Sequence, residues 1–129
     1  MTRARILIAE DEPAIAMSLE FLLRKDGYDT FVASDGDAAL RMADQLQPDL
    51  IVLDLMLPRL NGLEVCRRLR IKGQPRAKVL MLTARGGAAD YARGDAVGAD
   101  AYQVKPFSTQ ELLEQVRRLL LEGAVTHAN

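Results

Sequence analysis

The chain has one cysteine, one histidine and almost no net charge, and each scarcity removes a class of function. Cys66 alone cannot close an internal disulfide, so the fold must stand on its core, as suits a reducing cytoplasm. His127 lies two residues from the end of the sequence, where it is a poor candidate for a metal ligand or a phosphodonor. A formal charge of −1 and a pI near 5.8 give no electrostatic footprint for direct nucleic-acid binding or for a membrane surface. No apolar run approaches the roughly 20 residues that span a bilayer. The first residues, Met1 to Arg5, carry no signal-peptide apolar core. Repeats, low-complexity tracts and Pro- or charge-rich linkers are also missing. What remains, in 129 residues, reads as one soluble cytoplasmic domain with enough length for a real core.

What is present is a regular alternation. Ile6–Ala9, Thr30–Ala33, Leu50–Leu53 and Val79–Leu82 are short, branched apolar runs, and Ala101–Val104 is a weaker fifth. Such runs are strands buried on both faces. Between them lie helical patterns. Pro13 sits at a first-turn position before the stripe Ile15, Leu19, Leu22 and Leu23, with Gly27 as a stop. A second helix runs from Asp37 to Gln45 and is closed by Pro48. Asn61 with Glu64, and Ser108 with Glu111, have the spacing of capping boxes opening two further helices. Gly86 to Gly98 holds four glycines and few large apolar side chains; Gly86-Gly87 read as loop and Gly98 as a C-cap, and the alternative is a soft element that events at Thr83 can shift. Strands alternating with helices at this spacing specify right-handed βαβ units. The expected fold is α/β: a doubly wound, flavodoxin-like, five-stranded parallel sheet in the order 2-1-3-4-5 with helices on both faces. It should occupy residues 1–121, leaving 122–129 as a short tail.

The polar residues that interrupt this pattern fall where chemistry is done in such a sheet, at the carboxyl ends of the strands. Asp54 follows the third apolar run, Glu10 and Asp11 the first, Thr83 the fourth, and Lys105-Pro106 the fifth. The first and third strands are neighbours, so Glu10, Asp11 and Asp54 should converge. Like charges 4 Å apart repel by on the order of 4 kcal/mol at an effective dielectric of 20. Three of them must retain a proton or bind a cation. Hard oxygen donors without a nearby histidine favour magnesium over zinc. Lys105 is a second cation for Asp54 or for a phosphate, and Thr83 a hydroxyl donor. Pro106 is placed to follow a cis bond that aims Lys105 inward. Asp54 therefore reads as a phosphate acceptor. Taken singly, each residue has a plainer role as a loop cap, strand end or solvated side chain; their joint placement favours the chemical one.

The motifs Ala9-Glu10-Asp11-Glu12, Leu53-Asp54-Leu55-Met56-Leu57-Pro58, Leu82-Thr83-Ala84-Arg85 and Tyr102-Gln103-Val104-Lys105-Pro106-Phe107 resemble bacterial response-regulator receiver domains, from about Arg5 to Leu121. The closest likeness is to receivers that precede winged-helix DNA-binding domains. The resemblance implies that Asp54 takes a phosphoryl group from the phosphohistidine of a sensor histidine kinase or phosphotransfer protein. It implies magnesium on Asp11, Asp54 and the Met56 carbonyl, with Glu10 acting through water. Thr83 and Lys105 would bind phosphoryl oxygens, and Tyr102 would be the aromatic switch. Met56 and Arg85 would tune self-dephosphorylation, and an apolar Met56 orients water poorly, so a long-lived phosphoryl state is expected. Output to a protein target would pass through the fourth helix, fifth strand and fifth helix.

Tyr91, Ala92, Asp95 and the pair Asp100-Ala101 depart from the side chains through which such receivers pair. A monomer or weak, phosphorylation-dependent dimer is the corresponding expectation. The tail after Leu121 favours a stand-alone domain that signals by binding. A haloacid-dehalogenase-like phosphohydrolase would need an acid two residues after the nucleophile, where this chain has Met56. A flavin domain would need a phosphate-cradling loop where Glu10-Asp11-Glu12 stand. A receiver-like module that binds without phosphorylation would be expected to lack one of the acids, Thr83 or Lys105. The chain is thus expected to be a phosphoacceptor and not a turnover enzyme.

Overall fold

The computed structural model describes residues 3–71, 77–84 and 98–128, with side chains described as far as Gly123 in the last helix. Five strands alternate with helices: β1 (Arg5–Ala9), α1 (Pro13–Lys25), β2 (Asp29–Ala33), α2 (Gly36–Leu46), β3 (Leu50–Asp54), α3 (Gly62–Ile71), β4 (Lys78–Thr83), β5 (Ala101–Val104) and α4 (Thr109–Ala128). All pairings are parallel and the order is β2-β1-β3-β4-β5, as expected. The stretch Gly86–Gly98, read as loop or soft element, lies outside the described residues except for Gly98, and so do Arg85, Tyr91, Ala92 and Asp95.

Side chains in each strand alternate between two cores. Leu7, Ala9, Ile51, Leu53, Val79 and Met81 pack beneath Ala39 and Ala43 of α2 and Val65, Cys66 and Leu69 of α3. Ile6, Ile8, Leu50, Val52, Leu80 and Leu82 pack on Leu19 and Leu23 of α1 and Leu112, Val116 and Leu119 of α4. A sheet covered on both faces needs apolar residues at every position, which is why the strands are continuous runs rather than alternating ones.

Helix ends follow their sequence signals in part. Pro13 opens α1, and Gly27 takes φ +96 just past its end. Asp35 caps α2 by accepting the Ala38 N–H at 2.8 Å. Asn61 accepts the Glu64 N–H at 3.0 Å and Ser108 the Glu111 N–H at 3.3 Å. The return arms of both boxes are not made. The Glu64 carboxylate instead takes the guanidinium groups of Arg67 and Arg68, whose hydrogen bonds hold its pKa down at about 2. The Glu111 carboxylate accepts from the Gln103 amide at 3.3 Å. A cation one turn away, or an amide on the preceding strand, outcompetes a backbone N–H that water can reach.

The loop after β3 is docked backbone to backbone. Gly36 donates its N–H to the Pro58 carbonyl at 3.3 Å, and a Cβ on Gly36 would stand 2.0 Å from the Leu60 carbonyl oxygen. A Cβ on Gly62 would stand 2.5 Å from the Asp54 carbonyl oxygen. Between them Arg59 occupies left-handed φ (+67), with its guanidinium 3.9 Å from Asp35 and 4.0 Å from Asp37. Gly36→Ala should cost about 1–3 kcal/mol by overpacking. A loss under about 0.5 kcal/mol in urea unfolding would show that the loop gives way freely.

Candidate functional site

Register assembles the site. Ala9 pairs with Leu53 and Asp54 with Leu82, so the residues after β1, at the end of β3 and at the end of β4 share one edge. Thr83 pairs with Val104, and the Lys105 N–H donates to the Thr83 carbonyl at 2.8 Å, which fixes Lys105 beside them. The Lys105-Pro106 bond is cis.

Glu10 is 1% exposed and Asp54 5% exposed, whereas Asp11 is open to solvent. Each of the three can offer a carboxylate oxygen, and those oxygens lie within 4.8 Å of one another. The Lys105 ammonium stands between the two buried acids, 3.0 Å from Glu10 Oε1 and 3.0 Å from Asp54 Oδ2. Their other oxygens accept backbone N–H groups, Glu10 Oε2 from Glu12 at 3.1 Å and Asp54 Oδ1 from Met56 at 3.0 Å. Thr83 is buried, and its Oγ1 is the one enclosed side-chain polar atom among the described residues with no hydrogen-bond partner. Buried hydroxyls are normally satisfied. A hydroxyl left over at this edge suits an acceptor brought by a ligand.

Burial pushes the Glu10 carboxyl above its ordinary range; the charge of Asp54 adds to this, and Lys105 and the Glu12 N–H only partly oppose it. Burial works against the Lys105 ammonium too, but hydrogen bonds to Glu10 and Asp54 more than offset it and the pKa is raised. With all groups ionised, three carboxylates against one ammonium leave a formal charge of −2. A hard divalent cation matches that charge and that donor set, so Glu10, Asp11 and Asp54 fit magnesium.

The Met56 side chain is 72% exposed, and its N–H donates to Asp54 Oδ1 at 3.0 Å. Tyr102 on β5 pairs with Met81 of β4 and packs half-buried against the core under α2 and α3, while its carbonyl accepts from the Gln115 amide at 3.3 Å. It stands two residues back from the end of its strand, apart from the carboxylates. Gly36 and Gly62, which let the acceptor loop lie flat, carry no motif signal of their own; their role needs the distances.

Because folding favours protonated Glu10, the stability it contributes is present at low pH and lost as pH rises through its raised pKa. Glu10→Gln in metal-free protein should therefore melt above wild type at neutral pH, the gap closing as the solution is acidified. A lower melting temperature for the variant at neutral pH would mean that the pairing with Lys105 outweighs the cost of burial.

A family model described as the response regulator receiver domain matches residues 6–117. The DNA-binding response regulator MtrA of Mycolicibacterium smegmatis is 46% identical over 119 residues, covering 92% of this chain and 51% of that protein. The alkaline phosphatase synthesis transcriptional regulatory protein PhoP of Bacillus subtilis is 45% identical, covering 94% and 50%. The chain thus spans about half the length of these curated relatives. Among solved structures, the receiver domain of the Francisella response regulator 1452 superposes with a TM-score of 0.87 at 32% identity, covering 93% of this chain and 98% of that one. The chain belongs to the response regulator receiver domain family, and with it to two-component signal transduction by phosphorylation.

Proposed function

We propose that Asp54 is the phosphoacceptor, charged from the phosphohistidine of a sensor histidine kinase or phosphotransfer protein. The observation that carries this reading is the pairing of a nearly buried Asp54, held by Lys105 at 3.0 Å, with a buried Thr83 hydroxyl that has no partner. An Asp54 oxygen forms the new bond to phosphorus as the bond to the histidine nitrogen breaks, and that nitrogen leaves with the electron pair. Lys105 is placed to exchange an Asp54 oxygen for a phosphoryl oxygen, and Thr83 to donate its hydroxyl to another. Magnesium held by Asp11, Asp54 and the Met56 carbonyl, with Glu10 acting through water, would supply charge neutralisation at the transferred group. The product adds nearly two negative charges and three strong acceptors at the sheet edge. Thr83 responds first, being both the unsatisfied donor and the backbone partner of Lys105.

Signal output runs through β5 and α4, Tyr102 acting as its switch and a protein target reading it in the cytoplasm; the expected fourth helix of this face lies outside the described residues. The domain does not itself turn over an external substrate or bind nucleic acid. Relatives named as DNA-binding share only half their length with it. The Asp100 carboxylate is engaged within its own domain, by Arg70 at 2.9 Å and the Val79 N–H at 2.7 Å, which supports a monomer or a weak, phosphorylation-dependent dimer. No helix among the described residues is long and apolar enough to cross a membrane.

Acetyl phosphate with magnesium should add about 80 Da, one phosphoryl group, to the intact protein and nothing to Asp54→Ala. A folded wild type that gains no mass with or without its kinase would leave only the phosphorylation-independent binding module. Met56 presents no polar group to orient an attacking water, so the adduct should persist well beyond seconds after the donor is removed. Decay within seconds, followed by the same mass measurement, would contradict this reading of position 56.

A further inference from the structure

Helix α3 is fastened at both ends to elements that the phosphoacceptor reading makes important. Its first residue, Gly62, lies against the backbone of Asp54 so closely that a Cβ would come 2.5 Å from the Asp54 carbonyl oxygen, and its N–H donates to the Leu55 carbonyl at 2.9 Å. Ten residues of helix, about 15 Å, then lead to the opposite edge of the sheet. There Arg70, with 22% of its side chain exposed, makes a four-way junction. Its Nη1 donates to the Ala77 carbonyl at 2.8 Å, its Nε and Nη2 to the Gly98 carbonyl at 3.2 and 2.9 Å, and Nη2 also to Asp100 Oδ2 at 2.9 Å. The same Asp100 oxygen accepts the Val79 N–H at 2.7 Å. Lys78 stands 4.0 Å from the other Asp100 oxygen. Gly98 is at φ +91, and a Cβ there would lie 3.2 Å from Arg70 Cγ and Nε, so a glycine lets its carbonyl meet the guanidinium.

One side chain therefore ties the end of α3 to the entry of β4 and to the entry of β5, the strand that carries Tyr102 and leads to Lys105. Coupling between distant sites is carried by packed, hydrogen-bonded, rigid elements of this kind. We propose that α3 and Arg70 form a second route between Asp54 and the output strand β5, separate from the route through Thr83. Arg70 is a positioning residue in it. The contacts described belong to the arrangement in which Lys105 rests on Asp54. A junction that favours this arrangement opposes the phosphorylated one, and reciprocity requires that loosening it strengthen phosphoryl binding by the same factor. The inference rests on the phosphoacceptor reading above.

The test is the affinity of magnesium-loaded protein for beryllium fluoride, an inert mimic of the phosphoryl group, in wild type, Arg70→Gln, Asp100→Asn and Arg117→Gln. Arg117 pairs with Asp26 at 2.8 Å on the surface between α1 and α4 and serves as a control for the loss of an ion pair away from α3. Arg70→Gln and Asp100→Asn should tighten binding about threefold or more, and Arg117→Gln should leave it unchanged. The tightening should survive in a Thr83→Ala background, because the two routes are separate. A merely structural Arg70 would lower the melting temperature without moving the affinity. Folded Arg70→Gln and Asp100→Asn proteins with wild-type affinity, or a gain that vanishes with Thr83, would overturn the second route. A wild type that neither binds the mimic nor gains mass from acetyl phosphate would instead remove the phosphoacceptor reading and this route with it.

Discussion

Two carboxylates held out of water within reach of one ammonium set the terms for the rest of the molecule. Isolated, each buried acid would be strongly disfavoured as an anion. Lys105 keeps them tolerable, and that requires β5 to end level with β1 and β3 and the chain to turn inward at residue 105. Desolvation still outweighs compensation at Glu10. The apolar strands and the four described helices supply the stability against which this local deficit is held. A charge-poor interior with a single unbalanced corner is a sound basis for a switch, because any cation or anion arriving there changes the balance of the whole edge.

Much of this was legible from the residues. Short branched runs with polar residues at their ends specify strands buried on both faces, and the polar ends then fall on one edge by topology alone. Glu10, Asp11, Asp54, Thr83 and Lys105 all emerge in this way, and the structure brings them together. Helix termini were legible only to the extent that backbone groups decide them. Asn61 and Ser108 cap as their spacing suggests, but the acids three residues on are free to choose other partners and do so.

The rest was hidden because it depends on distances between elements. Arg70 belongs to a basic cluster with Arg67 and Arg68 and reads as part of a solvated helix face. Only the fold shows that its neighbours bind an exposed glutamate while Arg70 reaches the carbonyls of Ala77 and Gly98. Gly36 and Gly62 look like ordinary loop and cap glycines, and their necessity appears only when a Cβ is placed against Leu60 and Asp54. Asp100 carries no signal in the sequence for its partners, yet its carboxylate joins Arg70 to the Val79 N–H.

The loop beyond Asp54 separates shape from chemistry. Its hydrogen bonds are donated by main-chain N–H groups: Met56 to the Asp54 carboxylate, Gly36 to the Pro58 carbonyl and Gly62 to the Leu55 carbonyl. None of these bonds consults the side chains of Met56 or Arg59, both of which project into solvent. Any residue but proline at position 56 would present the same N–H to the acceptor. Such a loop lets natural variation rewrite the surface around the reacting oxygen, and so the duration of a signal, while the oxygen itself stays where it is.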